Sequence, residues 1–134
     1  MLLTVFYTVN DTGVMPTIVQ SCRFEPAHAA LLAKLARQRN LEVSTLSSLY
    51  LKEKALEEKY PDLGFRDAIS GREAYVLGHR VAVWAVADVH RETGSITKTA
   101  AYFRSPIALV RCALDFAQAF AEEIHRQREA EAGA

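Results

Sequence analysis

The chain has 134 residues, half of them hydrophobic, which suffices for one compact domain or two very small ones and excludes wholesale disorder. Its 16 basic and 16 acidic residues cancel, which excludes a uniformly basic coat for nucleic acid but not a local basic patch. The cysteines, Cys22 and Cys112, lack CxxC spacing, and no apolar run approaches the roughly 20 residues of a membrane helix. These features predict a reduced, cytoplasmic protein without a membrane segment.

Residues 1–14 are predicted to be a loosely attached leader. Asn10-Asp11-Thr12-Gly13 is typical of a turn, and neither a positive n-region nor a small-residue cleavage site marks a signal peptide. A more orderly pattern begins at Met15, so the first structured unit is assigned to residues 15–60.

The first unit opens with a predicted strand over Thr17–Phe24, rich in alternating and β-branched residues and stopped by Pro26. Side chains of a strand alternate with a period of two residues, which places Phe24 on the inward face and Arg23 on the outward face. A single strand leaves its backbone groups unpaired, so we expect it to pair with the same strand of a second copy in a homodimer.

Two amphipathic helices are predicted after this strand. The first begins at Pro26, a favoured residue in a first helical turn, and closes at Asn40 in left-handed geometry. Ser44 is predicted to be the N-cap of the second helix, which runs to about Lys59.

The order of strand, helix and helix resembles the ribbon-helix-helix fold over Thr17–Phe24, Leu31–Asn40 and Val43-Ser44-Thr45. In that family a two-stranded ribbon enters the major groove of DNA, and the start of the second helix touches phosphate. The resemblance therefore implies two sets of DNA-binding residues: Val19, Ser21 and Arg23 for bases, and Ser44 and Thr45 for phosphate.

A second unit is assigned to residues 61–128, beginning at the break around Tyr60-Pro61. A linker over Phe65–Ser70 is predicted to precede a hairpin over Ala74–Val81 and then a largely buried helix. Gly94 ends that helix, Ser95 caps a short one, and Ser105-Pro106 opens a long one that reaches Ile124. The polar tail from Arg126 is expected to fray, with residues 129–134 outside the unit.

The segment Gly71–Ile124, with its Gly78-His79-Arg80 core before a trihelical, helix-turn-helix-like unit, resembles the family called domain of unknown function 433. Members of that family look like antitoxins of the VapB type. The resemblance implies a PIN-domain ribonuclease toxin as a partner. The fold class expected for the whole chain is mainly α: a ribbon-helix-helix-like dimerisation unit followed by the hairpin and the trihelical unit.

Two local patterns suggest binding surfaces in the trihelical unit. Between Ser95 and Leu114 the sequence contains no acid and three cations, Lys98, Arg104 and Arg111, which are candidate DNA-binding residues. The long helix carries two apolar stripes, more than a small core needs. Leu109, Phe116 and Phe120 of one stripe are candidate partner-binding residues, and the alternative is that they are plain core.

Catalytic and metal-binding signatures are missing from the sequence. It contains no HExxH, no GxSxG and no glycine-rich phosphate loop, so no enzyme activity, metal or cofactor is expected. The sequence favours a non-catalytic antitoxin of a VapBC-like toxin–antitoxin module that binds operator DNA and represses its own operon. The alternatives are a stand-alone transcription regulator, and a scaffold protein that uses the trihelical unit for oligomerisation.

Overall fold

The computed structural model describes residues 5–8 and 17–133, which form a mainly helical chain. This confirms the predicted mainly α class, whereas the ribbon-helix-helix and helix-turn-helix arrangements stay predictions. Two compact units meet between Leu49 and Tyr50, inside a helix and before the predicted boundary at residue 60. In the described part of the chain, no helix combines the length and the apolar character needed to cross a membrane.

The first unit begins with a hairpin formed within the chain. Strand β1 (Val5–Thr8) pairs antiparallel with β2 (Thr17–Gln20), with Val5 opposite Gln20. The premise that β2 has no partner in its own chain was therefore wrong. Apart from Val5–Thr8, the predicted leader lies outside the described residues.

The predicted extent and alternation of this strand were also wrong. β2 ends at Gln20, so Ser21 and Arg23 lie beyond it. Phe24 and Ile18, which the alternation places on the inward face, are 48% and 49% exposed. Within the described residues, the pairing of β2 with β1 covers Thr17–Gln20.

Two helices complete the first unit. Helix α1 (Pro26–Gln38) has Pro26 in its first turn, and the chain leaves it through Asn40 at φ 55°, as predicted. Helix α2 (Val43–Lys59) begins two residues earlier than expected, so Ser44 lies in its first turn and is not the N-cap. The second half of α2 belongs to the unit that begins at Tyr50.

A three-stranded antiparallel sheet opens the second unit, in the order β3 (Leu63–Ala68), β4 (Gly71–Val76) and β5 (Val81–Ala82). The predicted hairpin is present as β4 and β5. The predicted linker over Phe65–Ser70 was wrong, because most of it forms β3 and pairs residue for residue with β4.

Four helices follow the sheet: α3 (Val83–Thr93), α4 (Ile96–Phe103), α5 (Ile107–Ala119) and α6 (Ala121–Ala132). The predicted long helix is two helices, because Phe120 leaves helical geometry at φ −124° and ψ 45°. The polar tail does not fray as expected. Gln127 on α6 is buried and its side-chain amide donates to the carbonyl of Arg72.

Phe116 on α5 is the aromatic centre of the second unit's core. Its ring is 1% exposed and meets Tyr60 edge-on, with centroids 5.2 Å apart. Phe65 from β3 lies 6.1 Å from it and Phe120 lies 4.8 Å from it. The core thus joins the end of α2, the sheet and α5 through contacts on one ring.

Two ion pairs extend from adjacent residues of β4. Arg72 donates from Nε and Nη2 to the two oxygens of buried Glu53 on α2, at 2.8 and 2.7 Å. The hydrogen bonds to Glu53 hold the pKa of Arg72 above its ordinary value. Glu73, also buried, accepts from Nε of Arg66 at 3.0 Å and from the indole of Trp84 at 2.8 Å.

Substitution of Arg72 by Met is expected to destabilise the protein by about 3 kcal/mol, because the Glu53 carboxylate stays buried without its donors. Replacing both residues, as Glu53→Leu with Arg72→Met, is expected to restore most of that loss. Arg91→Met, which removes an arginine that is 61% exposed and pairs with Asp88, is the control and should cost less than about 1 kcal/mol. Urea unfolding measures all three, and equal losses for Arg72→Met and Arg91→Met would contradict the account.

Candidate nucleic-acid interface

The junction between α3 and α4 is fixed by its own hydrogen bonds. Gly94 closes α3 in left-handed geometry at φ 67°, and the hydroxyl of Ser95 then accepts from the backbone N–H of Lys98 at 3.2 Å. Fully buried Thr99 donates to the carbonyl of Ser95 at 2.7 Å and lies 3.0 Å from the hydroxyl of Thr93. Both the predicted stop and the predicted cap are confirmed, and together they set where α4 begins.

Helix α4 is divided cleanly into an inner and an outer face. Its inner positions recur at helical spacing and are buried or packed against the core: Ile96, Thr99, Ala100 and Phe103. Its outer positions are all exposed: Thr97, Lys98, Ala101 and Tyr102. The outer face contains no acid.

The turn between α4 and α5 consists of Arg104, Ser105 and Pro106. Arg104 takes left-handed geometry at φ 53°, and the N–H of Ser105 reaches back to the carbonyl of Ala100 at 2.9 Å. Pro106 stands at the N-cap of α5, and no side chain caps that helix. The structure therefore joins α4 to α5 by a tight turn with an exposed arginine at its start.

The three cations predicted to bind DNA lie on consecutive elements of one unit. Lys98 is on α4, Arg104 in the turn and Arg111 on α5, and all three are exposed. None forms an ion pair with any residue that the structure describes. Their charges are thus available to an external anion.

A shallow groove runs beside the start of α5. It is lined by Ile107 and Arg111 on one side and by Tyr60 and Asp62 on the other, with Cys112 and Asp115 further along. Burial raises the pKa of the Cys112 thiol above its ordinary value, so the groove does not hold a thiolate at neutral pH. Lys59 also lines the groove, so its two cations are balanced by its two carboxylates, and it attracts phosphate less than the acid-free outer face of α4.

The other five predicted DNA-binding residues belong to the first unit or its half of α2. All of them are exposed: Val19, Ser21, Arg23, Ser44 and Thr45. Because β2 ends at Gln20, Ser21 and Arg23 do not lie on a ribbon in this structure. Their role in DNA binding stays a prediction.

The predicted partner-binding residues differ in exposure. Phe116 is a core residue at 1% exposed and leaves no surface for a partner, so that assignment was wrong. Leu109 and Phe120 pack against the core while part of each side chain remains outside. A partner role stays a prediction for these two residues alone.

Tyr102, which was not among the predicted site residues, is the largest side chain on the outer face of α4. Its ring is 69% exposed and meets Phe103 edge-on, with centroids 4.8 Å apart. The signal was available, because the inward positions Ala100 and Phe103 place residue 102 on the outer face, one helical turn after Lys98. This spacing puts a phenol hydroxyl beside the Lys98 ammonium group on the same face.

Among the described residues, no group of three or more His, Cys, Asp or Glu side chains is placed to hold a metal ion. Comparison with protein-family models, with curated proteins and with solved structures finds no match to this chain. The interface is therefore assigned from its own residues.

Substitutions at Phe116 and Phe120 should separate core from surface. Phe116→Ala removes the central ring and is expected to cost about 3–5 kcal/mol of unfolding free energy. Phe120→Ala removes a half-buried ring and is expected to cost only about 1–2 kcal/mol. Denaturant titration of both variants measures this, and an equal loss would show that Phe120 also belongs wholly to the core.

Proposed function

We propose that this protein is a non-catalytic DNA-binding autorepressor of the VapB antitoxin type. The observation that carries the proposal is the acid-free run Ser95–Leu114, whose cations Lys98, Arg104 and Arg111 are all exposed and unpaired within the described structure. They lie on two helices joined by a tight turn, and both helices contact α3. An unpaired basic surface on a compact helical unit is the electrostatic footprint of a nucleic-acid-binding protein.

Local charge matters more here than net charge. The whole chain is neutral, so it gains no general attraction to DNA. In the second unit Arg66 pairs with Glu73, Arg72 with Glu53, and Arg128 with Asp88, whereas Lys54, Arg80 and Arg126 are exposed without an ion pair in the described structure. What supports an anion-binding surface around α4 is therefore the absence of acidic residues from Ser95 to Leu114.

A homodimer is part of the proposal. The first unit leaves many large apolar side chains on its surface, each at least 36% exposed: Ile18, Val19, Phe24, Leu31, Leu41 and Val43. A unit this short gains stability by covering such residues against a second copy. Two copies would present two basic surfaces to one operator, as dimeric repressors do.

The toxin part of the proposal rests on the resemblance of Gly71–Ile124 to domain of unknown function 433. Leu109 and Phe120 are the two candidates for contact with a PIN-domain toxin, since both keep part of their surface outside the core. A neighbouring short acidic reading frame of the PIN type, whose product co-purifies with this chain, supports an antitoxin. DNA binding without such a neighbour supports a stand-alone regulator.

The DNA-binding proposal is tested by affinity for a duplex from upstream of the gene across a salt series. Replacing Lys98 and Arg104 together by Gln should lower the slope of log affinity against log salt by about 1.8, at about 0.9 for each lost phosphate contact. Lys54→Gln is the matched control, because Lys54 is exposed on α2 and has no ion pair in the described structure. Arg23→Ala tests the first unit in the same assay.

Two results would overturn the proposal. Failure of the unaltered protein to bind any duplex at low salt would favour the scaffold alternative. Equal slopes for the double variant and for Lys54→Gln would show that DNA is held elsewhere, and a loss confined to Arg23→Ala would assign it to the first unit.

A further inference from the structure

The outer face of α4 carries hydroxyl and ammonium groups that take no part in packing. It consists of Thr97, Lys98, Ala101 and Tyr102, with Arg104 directly after the helix. The face offers two hydroxyl groups and an ammonium group around a small residue, and it contains no acid. None of these side chains makes a hydrogen bond or ion pair within the described residues, so all their donors are available.

The Tyr102 ring contacts one aromatic neighbour although most of it is exposed. Its edge-on contact with Phe103, at 4.8 Å and 80°, ties it to a residue that itself packs against the core. A ring restrained in this way loses little conformational freedom when its hydroxyl binds a ligand.

Helix α5, by contrast, is poorly equipped to read bases. The residues it exposes in its first turns are Ile107, Ala108 and Arg111, of which only Arg111 can donate a hydrogen bond. Arg111 also lines the groove that contains Lys59, Asp62 and Asp115, where the charges balance. The stronger set of donors in this unit is on α4.

We propose that the outer face of α4 is a phosphate clamp, in which Thr97, Lys98 and Tyr102 bind the backbone of one DNA strand. The hydroxyls of Thr97 and Tyr102 donate to phosphate oxygens, Lys98 supplies charge, and the small side chain of Ala101 allows the strand to approach closely. Hydroxyl and ammonium donors of this kind position a protein on duplex DNA without reading its sequence. This inference rests on the proposed function and adds to it that the second unit binds all duplexes alike.

Tyr102→Phe is the sharpest test, because it removes one hydroxyl and keeps the ring contact with Phe103. The full-length variant should bind the upstream duplex and a random duplex about three- to tenfold more weakly than the parent, with an unchanged melting temperature. Tyr75→Phe is the matched control: Tyr75 is a half-buried tyrosine of β4, and no hydrogen bond of its hydroxyl is found in the described structure. Thr97→Val, which keeps the shape of the side chain, should act in the same direction as Tyr102→Phe.

The outcomes separate this inference from the function on which it depends. If the parent binds neither duplex, the proposed function fails. If the parent binds and both Tyr102→Phe and Thr97→Val bind equally well, only the clamp is overturned. A loss restricted to the upstream duplex would also overturn it, because that result means Tyr102 reads bases.

Discussion

Two carboxylates buried in the second unit need hydrogen-bond donors, and the structure of the unit depends on supplying them. Strand β4 carries one member of each of the two ion pairs that result. Arg72 and Glu73 are adjacent, so their side chains leave opposite faces of the sheet. Arg72 reaches Glu53 on α2, while Glu73 holds Arg66 of β3 and Trp84 of α3. The same strand accepts the amide of Gln127 from α6 at the carbonyl of Arg72. Hydrogen bonds and ion pairs thereby orient three helices on one strand. The hydrophobic side chains around Phe116 pack between these elements.

This arrangement leaves the outer face of α4 available for binding. The helix is attached through the Ser95 cap, the Thr99 hydrogen bonds and the inward side chains Ala100 and Phe103. Its outer face takes no part in the ion pairs that hold the unit together. A DNA-binding surface on this face could therefore change its residues at little cost in stability, because binding groups and packing groups belong to opposite sides of the same helix.

Features that depend on residues close together in the sequence could be predicted. Features that depend on contacts between residues far apart in the sequence could not. Gly94, Ser95 and the Ser105-Pro106 turn act within a few residues, and their helix boundaries were confirmed. Strand β3 was mistaken for a linker because Arg66 and Asp67 interrupt its apolar pattern, and only pairing with Glu73 and Arg72 explains them. The break at Phe120 involves neither Gly nor Pro. Charge clustering singled out Lys98 and Arg104 as candidates, and their role stays a prediction. Tyr102 was not singled out because its exposure had not been inferred from the inward positions.

Amide chemical-shift mapping tests the central claim most directly, because it locates DNA contact on the folded, unaltered protein. Titration of the isotopically labelled full-length chain with a duplex should shift the amides of residues 95–104 most strongly within the second unit. The amides of β3 and β4, which hold the ion pairs, should shift least. Strong shifts along Leu63–Val76 with residues 95–104 unchanged would contradict the account, since the α4 face would then not be the surface that meets DNA.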